Sequence, residues 1–215
     1  MKYKIFAGTC LALIGIFAAT SLYYKNQQVK KYDFLAQNNA SNFIREHSAT
    51  LGSSDAKVFL VEFMDPACET CAAFSPLVKQ IMDAHPGKIK LVLRYAPFHE
   101  GADYFVKILE AAKKQEKYWE TLDVMFKSQS YWTSHHKALP EKIWPILANA
   151  GLNIDKLKQD MQDPSIDKII EQDLADAKTL DVRKTPGYFV NGNPLVTFGR
   201  QQLYDLIQSE INAQY

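Results

Sequence analysis

Val58-Phe59-Leu60-Val61-Glu62-Phe63-Met64-Asp65-Pro66-Ala67-Cys68-Glu69-Thr70-Cys71 is the stretch on which the fold turns. Its first six residues form an apolar run broken only by Glu62, which reads as a buried strand. Met64 to Ala67 ends that strand. Beyond Cys68, residues Phe74, Leu77, Val78, Ile81 and Met82 recur at helical spacing and predict an amphipathic helix. Pro76 should kink it, and His85-Pro86-Gly87 should stop it. Ile89 to Tyr95, carrying Lys90 and Arg94, reads as a second buried strand. Strand, helix, strand is a βαβ unit, with two cysteines at its first strand-to-helix junction.

A Cys-x-x-Cys at that junction has a chemical consequence. The first sulfur meets the unpaired N–H groups and positive dipole end of the helix. This lowers its pKa, to roughly 3.5–7.5 across such motifs. Cys68 is then the attacking thiolate of a disulfide exchange, and Cys71, one turn along, is placed to resolve it. An inert pair and half a zinc site are the competing readings, and the second can be weighed. It needs two more ligands, for which only His135-His136 offers itself, so no metal is expected. Glu62 lies six residues before Cys68 in an otherwise apolar strand. A buried carboxylate without a partner tends to keep its proton, and near the sulfurs it could accept the proton of Cys71. Arg94 or Lys90 on the next strand could instead hold it in a structural ion pair.

Downstream, residues 101–180 are mostly helical, with helices expected at Ile143 to Ala150, Ile154 to Met161 and Ile166 to Leu180. Tyr131, Trp132 and Trp144 in this block suit a core better than a peptide groove. Gly187 to Val190 returns to strand character. Asn191-Gly192 is a hairpin turn signal, with Leu195 to Phe198 pairing back, and Gln201 to Ala213 is a closing helix. The predicted architecture is α/β: a βαβ unit, a helical insertion at about 101–180, then a C-terminal β-hairpin plus helix. This is the thioredoxin layout, over residues 56–215.

Upstream, residues 25–55 read as a polar linker, partly helical between Val29 and Phe43 and looped from Ser48 to Asp55. The uncharged run Ile5 to Tyr24 follows Lys2 and Lys4, so residues 1–24 read as a transmembrane anchor or a cleaved signal. Either exports the domain. Cys10 within the run reads as a small apolar helix residue. The chain carries 25 basic and 24 acidic residues, which gives no electrostatic case for nucleic acid. Its three cysteines are too few and too close for a disulfide scaffold.

The chain resembles the DsbA-like thioredoxin-fold proteins of bacteria, in particular the exported or anchored branch related to DsbG and BdbD. The resemblance spans about residues 47–212 and rests on Ala56 to Phe63 and Asp65 to Cys71, on Arg94-Tyr95-Ala96-Pro97-Phe98-His99, on Trp119-Glu120, and on Lys184-Thr185-Pro186-Gly187-Tyr188-Phe189-Val190-Asn191-Gly192. It implies disulfide exchange on the periplasmic side of the inner membrane, with a redox-active Cys68–Cys71 disulfide and no other cofactor. It implies a cis Pro186 facing the cysteines, with the Thr185 backbone open to an extended substrate. It also implies exported cysteine-containing substrates and a membrane redox partner, quinone-linked for an oxidant. DsbA has Pro-His between its cysteines where this chain has Glu69-Thr70. A carboxylate there opposes the thiolate by on the order of 1 kcal/mol, and Asp65 could add to this. The expected potential is therefore nearer to about −180 to −270 mV than to DsbA's roughly −120 mV. Two alternatives stand beside the oxidant: a reductase or isomerase kept reduced, and an anchored binding module or metal chaperone that carries a redox pair.

Overall fold

A computed structural model of the chain describes residues 13–24, 26, 40–134 and 137–215. Helix α1 covers residues 13–24 and α2 covers Ala40–Phe43. Among the described residues no helix is long and apolar enough to cross a membrane. The remainder of the expected anchor, Cys10 and His135-His136 lie outside the described residues.

The centre is a five-stranded mixed sheet in the order β1 (Ala49–Gly52), β3 (Ile89–Tyr95), β2 (Val58–Met64), β6 (Gly187–Val190), β7 (Asn193–Pro194). The middle strands β2 (Val58–Met64) and β3 (Ile89–Tyr95) run parallel. They are joined by α3 (Glu69–Ala84), the helix that carries the cysteine pair and Pro76. Strand β6 (Gly187–Val190) lies antiparallel to β2 on its other side. Helices cover both faces, which is why β2 is apolar on both parities. Val58, Leu60 and Met64 face α3 and the helical block. Val61 and Phe63 face a smaller cluster with Phe43, Val92, Ala177, Leu180 and Phe189.

The sheet departs from expectation at both edges. Ser48 to Asp55, read as a loop, contains β1 (Ala49–Gly52), which pairs antiparallel with β3. Four residues ending in glycine carry no strand signature, and the pairing comes from the exposed edge of β3. Gly52 is required there: its φ is +106°, and a Cβ would collide with the Ile89 carbonyl oxygen. At the other edge Asn191 (φ 48°) and Gly192 (φ 85°) form the tight turn. Pairing resumes at once, so β7 is Asn193–Pro194 and not Leu195 to Phe198. Leu195 N–H still donates to Tyr188 O at 2.9 Å. The chain then leaves the sheet, and Phe198 stacks on Phe74 of α3 at 4.7 Å between ring centroids.

The helical insertion comprises α4 (Ala102–Lys113), α5 (Tyr118–Lys127), α6 (Gln129–Trp132), α7 (Pro140–Leu147), α8 (Ile154–Asp160) and α9 (Pro164–Thr179). Helices α7 and α9 begin earlier than the apolar pattern suggested, because Pro140 and Pro164 occupy first-turn positions that lose no hydrogen bond. A two-stranded ribbon, β4 (Thr133–Ser134) with β5 (Lys137–Ala138), interrupts the block and had no sequence signal. Trp132 is fully buried and stacks on Phe105 at 4.0 Å. Trp144 is half-buried against Tyr104, and Tyr131 is exposed. The closing helix α10 runs Arg200–Gln214.

A buried ionic seam fastens α9 to the sheet. Arg94 donates to Asp173 Oδ1 through Nε (3.0 Å) and Nη2 (2.6 Å), and to Asp176 Oδ2 at 2.6 Å. Asp173 also accepts the Tyr95 N–H at 2.7 Å. Arg45 grips Asp176 with a two-pronged contact of 2.8 and 2.9 Å, and His47 Nε2 lies 2.6 Å from Asp173 Oδ1.

Candidate active site

The end of β2 delivers the chain to α3 through a tight turn. Cys68 N–H donates to Asp65 O at 3.0 Å, and Cys68 takes the N-cap position of α3. No hydroxyl or carboxylate caps this helix. The capping place, where an acceptor meets the N–H groups of the first turn, falls to a sulfur. The Cys68 thiol is accordingly lowered to about 6. The hydrogen bond from the Cys71 thiol is the largest cause, burial opposes it, and the Thr185 hydroxyl and the N–H groups of Cys71 and Thr70 add to it.

Cys71 is fully buried and its thiol is pushed well up. Burial is the main cause, followed by its hydrogen bond to Cys68 and the charges of Glu62 and Cys68. Only the Asp65 N–H works the other way. The two thiols are thus driven apart by position: one at the helix mouth, the other one turn inside. Both are free thiols here.

The Thr185–Pro186 bond is cis. The Cys68 Sγ–H donates to the Thr185 carbonyl oxygen at 3.3 Å. A groove of about 700 Å³ opens beside this contact, with Thr70, Lys184, Thr185, Pro186, Val196 and Phe198 among its lining. Glu69 and Thr70, the two residues between the cysteines, are exposed in the first turn of α3.

Glu62 is buried in the strand beneath the pair, and its carboxyl is pushed up to about 8. Burial is the main cause, Tyr188 opposes it, and the Cys68 charge adds to it. Tyr188 stands directly opposite Glu62 in the β2–β6 register. Its hydroxyl is buried and makes no hydrogen bond of regular geometry. A cavity of about 20 Å³, the size of one water, touches Glu62, Ser75, Lys79 and Trp119. The alternative ion pair is not formed. In the parallel register Arg94 lies opposite Phe63 and Lys90 opposite Phe59, so both project to the other face. Arg94 is instead held by Asp173 and Asp176.

Asp65 does not face the sulfurs with its carboxylate as the sequence reading allowed. Oδ1 accepts the Ala67 N–H at 2.8 Å, while Oδ2 takes the His99 N–H at 2.8 Å and lies 2.7 Å from His99 Nδ1. Neither the Tyr188–Glu62 apposition nor the Asp65–His99 contact was visible in sequence, since each joins distant segments. No group of three or more His, Cys, Asp or Glu residues among the described residues could hold a metal ion.

A thioredoxin fold with a Cys-x-x-Cys at a helix N-terminus, facing a cis-proline, defines the class: a thiol–disulfide oxidoreductase. The chain belongs to the thioredoxin family, whose model, described as Thioredoxin, matches residues 44–209. In fold it is similar to a thioredoxin-like oxidoreductase from Silicibacter pomeroyi, with a TM-score of 0.68 and 28% identity over 80% of this chain and 96% of that one. It is also similar in fold to oxidised BdbD from Bacillus subtilis (TM-score 0.68, 21% identity, 78% and 94% coverage). Among curated relatives it is 27% identical to a probable disulfide bond formation protein D from Bacillus cereus, over 67% of this chain and 70% of that protein. It is 28% identical to a Na⁺/H⁺ antiporter NhaA from Herminiimonas arsenicoxydans, over 67% of this chain. The chain spans only 22% of that antiporter's length.

Proposed function

We propose that this protein exchanges disulfides with exported, cysteine-containing proteins through Cys68 and Cys71. The observation that carries the reading is the split between the two sulfurs: the Cys68 thiol lowered to about 6 at the N-terminus of α3, against Thr185 of the groove, and the Cys71 thiol raised one turn further in. As an oxidant, the Cys68–Cys71 disulfide is attacked by a substrate thiolate, which bonds to Cys68 and displaces the Cys71 sulfur. A second substrate thiolate then attacks the mixed disulfide, forms the substrate disulfide and leaves Cys68 as a thiolate. The displaced Cys71 sulfur takes up a proton, and in the reverse direction it must lose one. Glu62, already holding a proton near neutral pH, is the group for that transfer, and a water-sized cavity lies beside it. Thr185 and Pro186 hold the substrate chain beside Cys68, and Glu69 with Thr70 tune the couple.

In this reading the domain works on the periplasmic side of the inner membrane, anchored by or released from its N-terminal segment. A quinone-linked membrane partner reoxidises it. The name of the Bacillus cereus relative, a probable disulfide bond formation protein, supports the oxidant direction. A reductase or isomerase kept reduced uses the same residues with the electrons reversed. Thiol trapping in cells separates these two, since an oxidant is found mostly as the disulfide. Refolding of a reduced, disulfide-requiring substrate tests the activity itself. A rate above buffer that Cys68→Ser abolishes is expected; a rate no higher than buffer, or one indifferent to Cys68→Ser, would leave a binding module or metal chaperone.

A further inference from the structure

Asp65 touches both halves of the cysteine pair through its backbone. Its carbonyl accepts the Cys68 N–H at 3.0 Å, and its N–H points at the Cys71 sulfur. The orientation of this one residue therefore bears on the backbone of Cys68 and on the sulfur of Cys71. Its side chain is fully buried, where an unsatisfied carboxylate would be costly. Three N–H groups converge on it, and two belong to His99, in the segment between β3 and α4. Asp65 follows β2 and His99 follows β3, so the contact joins the ends of neighbouring parallel strands directly above the sheet. On the other side of the same turn, Gln129 Nε2 donates to Pro66 O at 2.8 Å, so the turn is held from both flanks. His99 supplies the flank that acts on the carboxylate, and its side chain is about one-quarter exposed (23%).

We propose that His99 is a positioning residue for the redox pair: it clamps the Asp65 carboxylate, and so fixes the Asp65–Cys68 turn that seats Cys68 at the N-terminus of α3. The inference rests on the disulfide-exchange reading above. With the imidazole removed, the carboxylate keeps the main-chain N–H groups of Ala67 and of residue 99 and loses the Nδ1 contact that fixes Oδ2 from the side. The first turn of α3 then no longer meets Cys68 at a fixed angle, and its thiolate loses support. The reduced form is destabilised relative to the disulfide.

The test is equilibration with glutathione, in which two glutathione thiols reduce the Cys68–Cys71 disulfide and become one glutathione disulfide. Wild type, His99→Ala and His99→Asn are compared at one pH, with Cys68 thiolate followed by absorbance near 240 nm. His99→Ala should lower the equilibrium constant for reduction at least threefold, about 14 mV at 29.6 mV per tenfold, and move the thiolate titration upward. Asn can offer an amide N–H close to the place of Nδ1, so His99→Asn should stay near wild type. Should His99→Ala not fold, His99→Gln takes its place with the same expected shift, because its amide reaches out to the position of Nε2 and away from Asp65. An unchanged constant in His99→Ala, with or without a lower Tm, overturns the proposal; so do equal shifts in the Ala and Asn variants. A wild type that never forms the Cys68–Cys71 disulfide sinks the exchange reading and the clamp with it. A wild type that titrates normally while His99→Ala is unmoved sinks the clamp alone.

Discussion

Arg94 is bound to Asp173 at 2.6 Å on one face of the sheet, while Glu62, on the adjacent strand, points to the other. Among the described residues Glu62 forms no ion pair. The cation nearest in sequence logic is spent on fastening α9, and the buried carboxyl under the cysteines keeps its proton instead.

Glu62 should therefore make stability depend on pH. Its carboxyl titrates at 4.5 unfolded and about 8 folded. Between those values the folded state holds a proton that the unfolded chain has released, so stability falls as pH rises. Glu62→Gln removes the slope. Relative to wild type the reduced variant should gain about 3 kcal/mol by pH 7 and little near pH 4.5. Urea midpoints at the two pH values check this; the same gain at both would contradict it.

Cys68 runs with the opposite sign. Its folded pKa is lowered from 9.0 to about 6, so in the reduced protein it adds stability fully above pH 9, and this is lost as pH falls through 6. Thiolate absorbance should titrate with a midpoint near pH 6, and iodoacetamide should label Cys68 alone at neutral pH. Labelling of Cys71 at a comparable rate would show that position at the helix N-terminus does not separate the two thiols.

Asp173→Asn should cost about 3 kcal/mol or more, because it removes one of the two carboxylates that neutralise a fully buried guanidinium. Asp123→Asn, which breaks a half-exposed pair with Lys79 on the same scaffold, should cost under about 1 kcal/mol. Urea unfolding of both variants makes the comparison. Equal losses would mean that the Arg94 seam is no stronger than a surface pair.

Glu69→Gln should raise the reduction potential. Glu69 is exposed beside the sulfurs in the first turn of α3. Removing its charge should shift the couple by about 20 mV, from on the order of 1 kcal/mol converted at 30 mV per 1.4 kcal/mol. Equilibration with glutathione reads this, and a downward shift would refute the opposing-charge argument.

The parts legible in sequence were those with local cause. The apolar run of β2, the helical spacing after Cys68 and the Asn191-Gly192 turn each announce themselves within a few residues. Strand β1 did not, because Ala49–Gly52 has neither the length nor the β-branched content of a strand and is templated by Leu91 and Leu93 across from it. Strand β7 was placed too late, since a two-residue turn leaves no room before pairing restarts. Glu62 was legible as a charge out of place, but its neighbour Tyr188 lies far along the chain and became its partner only through the β2–β6 register. Asp65 with His99 and Arg94 with Asp173 also join distant segments, through the loop after β3 and the packing of α9 on the sheet. Sequence marks the odd residue; the fold decides what it meets.

Arg45 and His47 lead the chain into β1 while gripping Asp176 and Asp173 of α9. In mechanical terms this is a strain relief. Tension arriving from residues before Phe43 would be carried into α9 and the edge of the sheet, on the face away from Glu62 and α3. The cysteines sit outside that load path, so a pull applied ahead of Phe43 would leave the geometry around the sulfurs undisturbed.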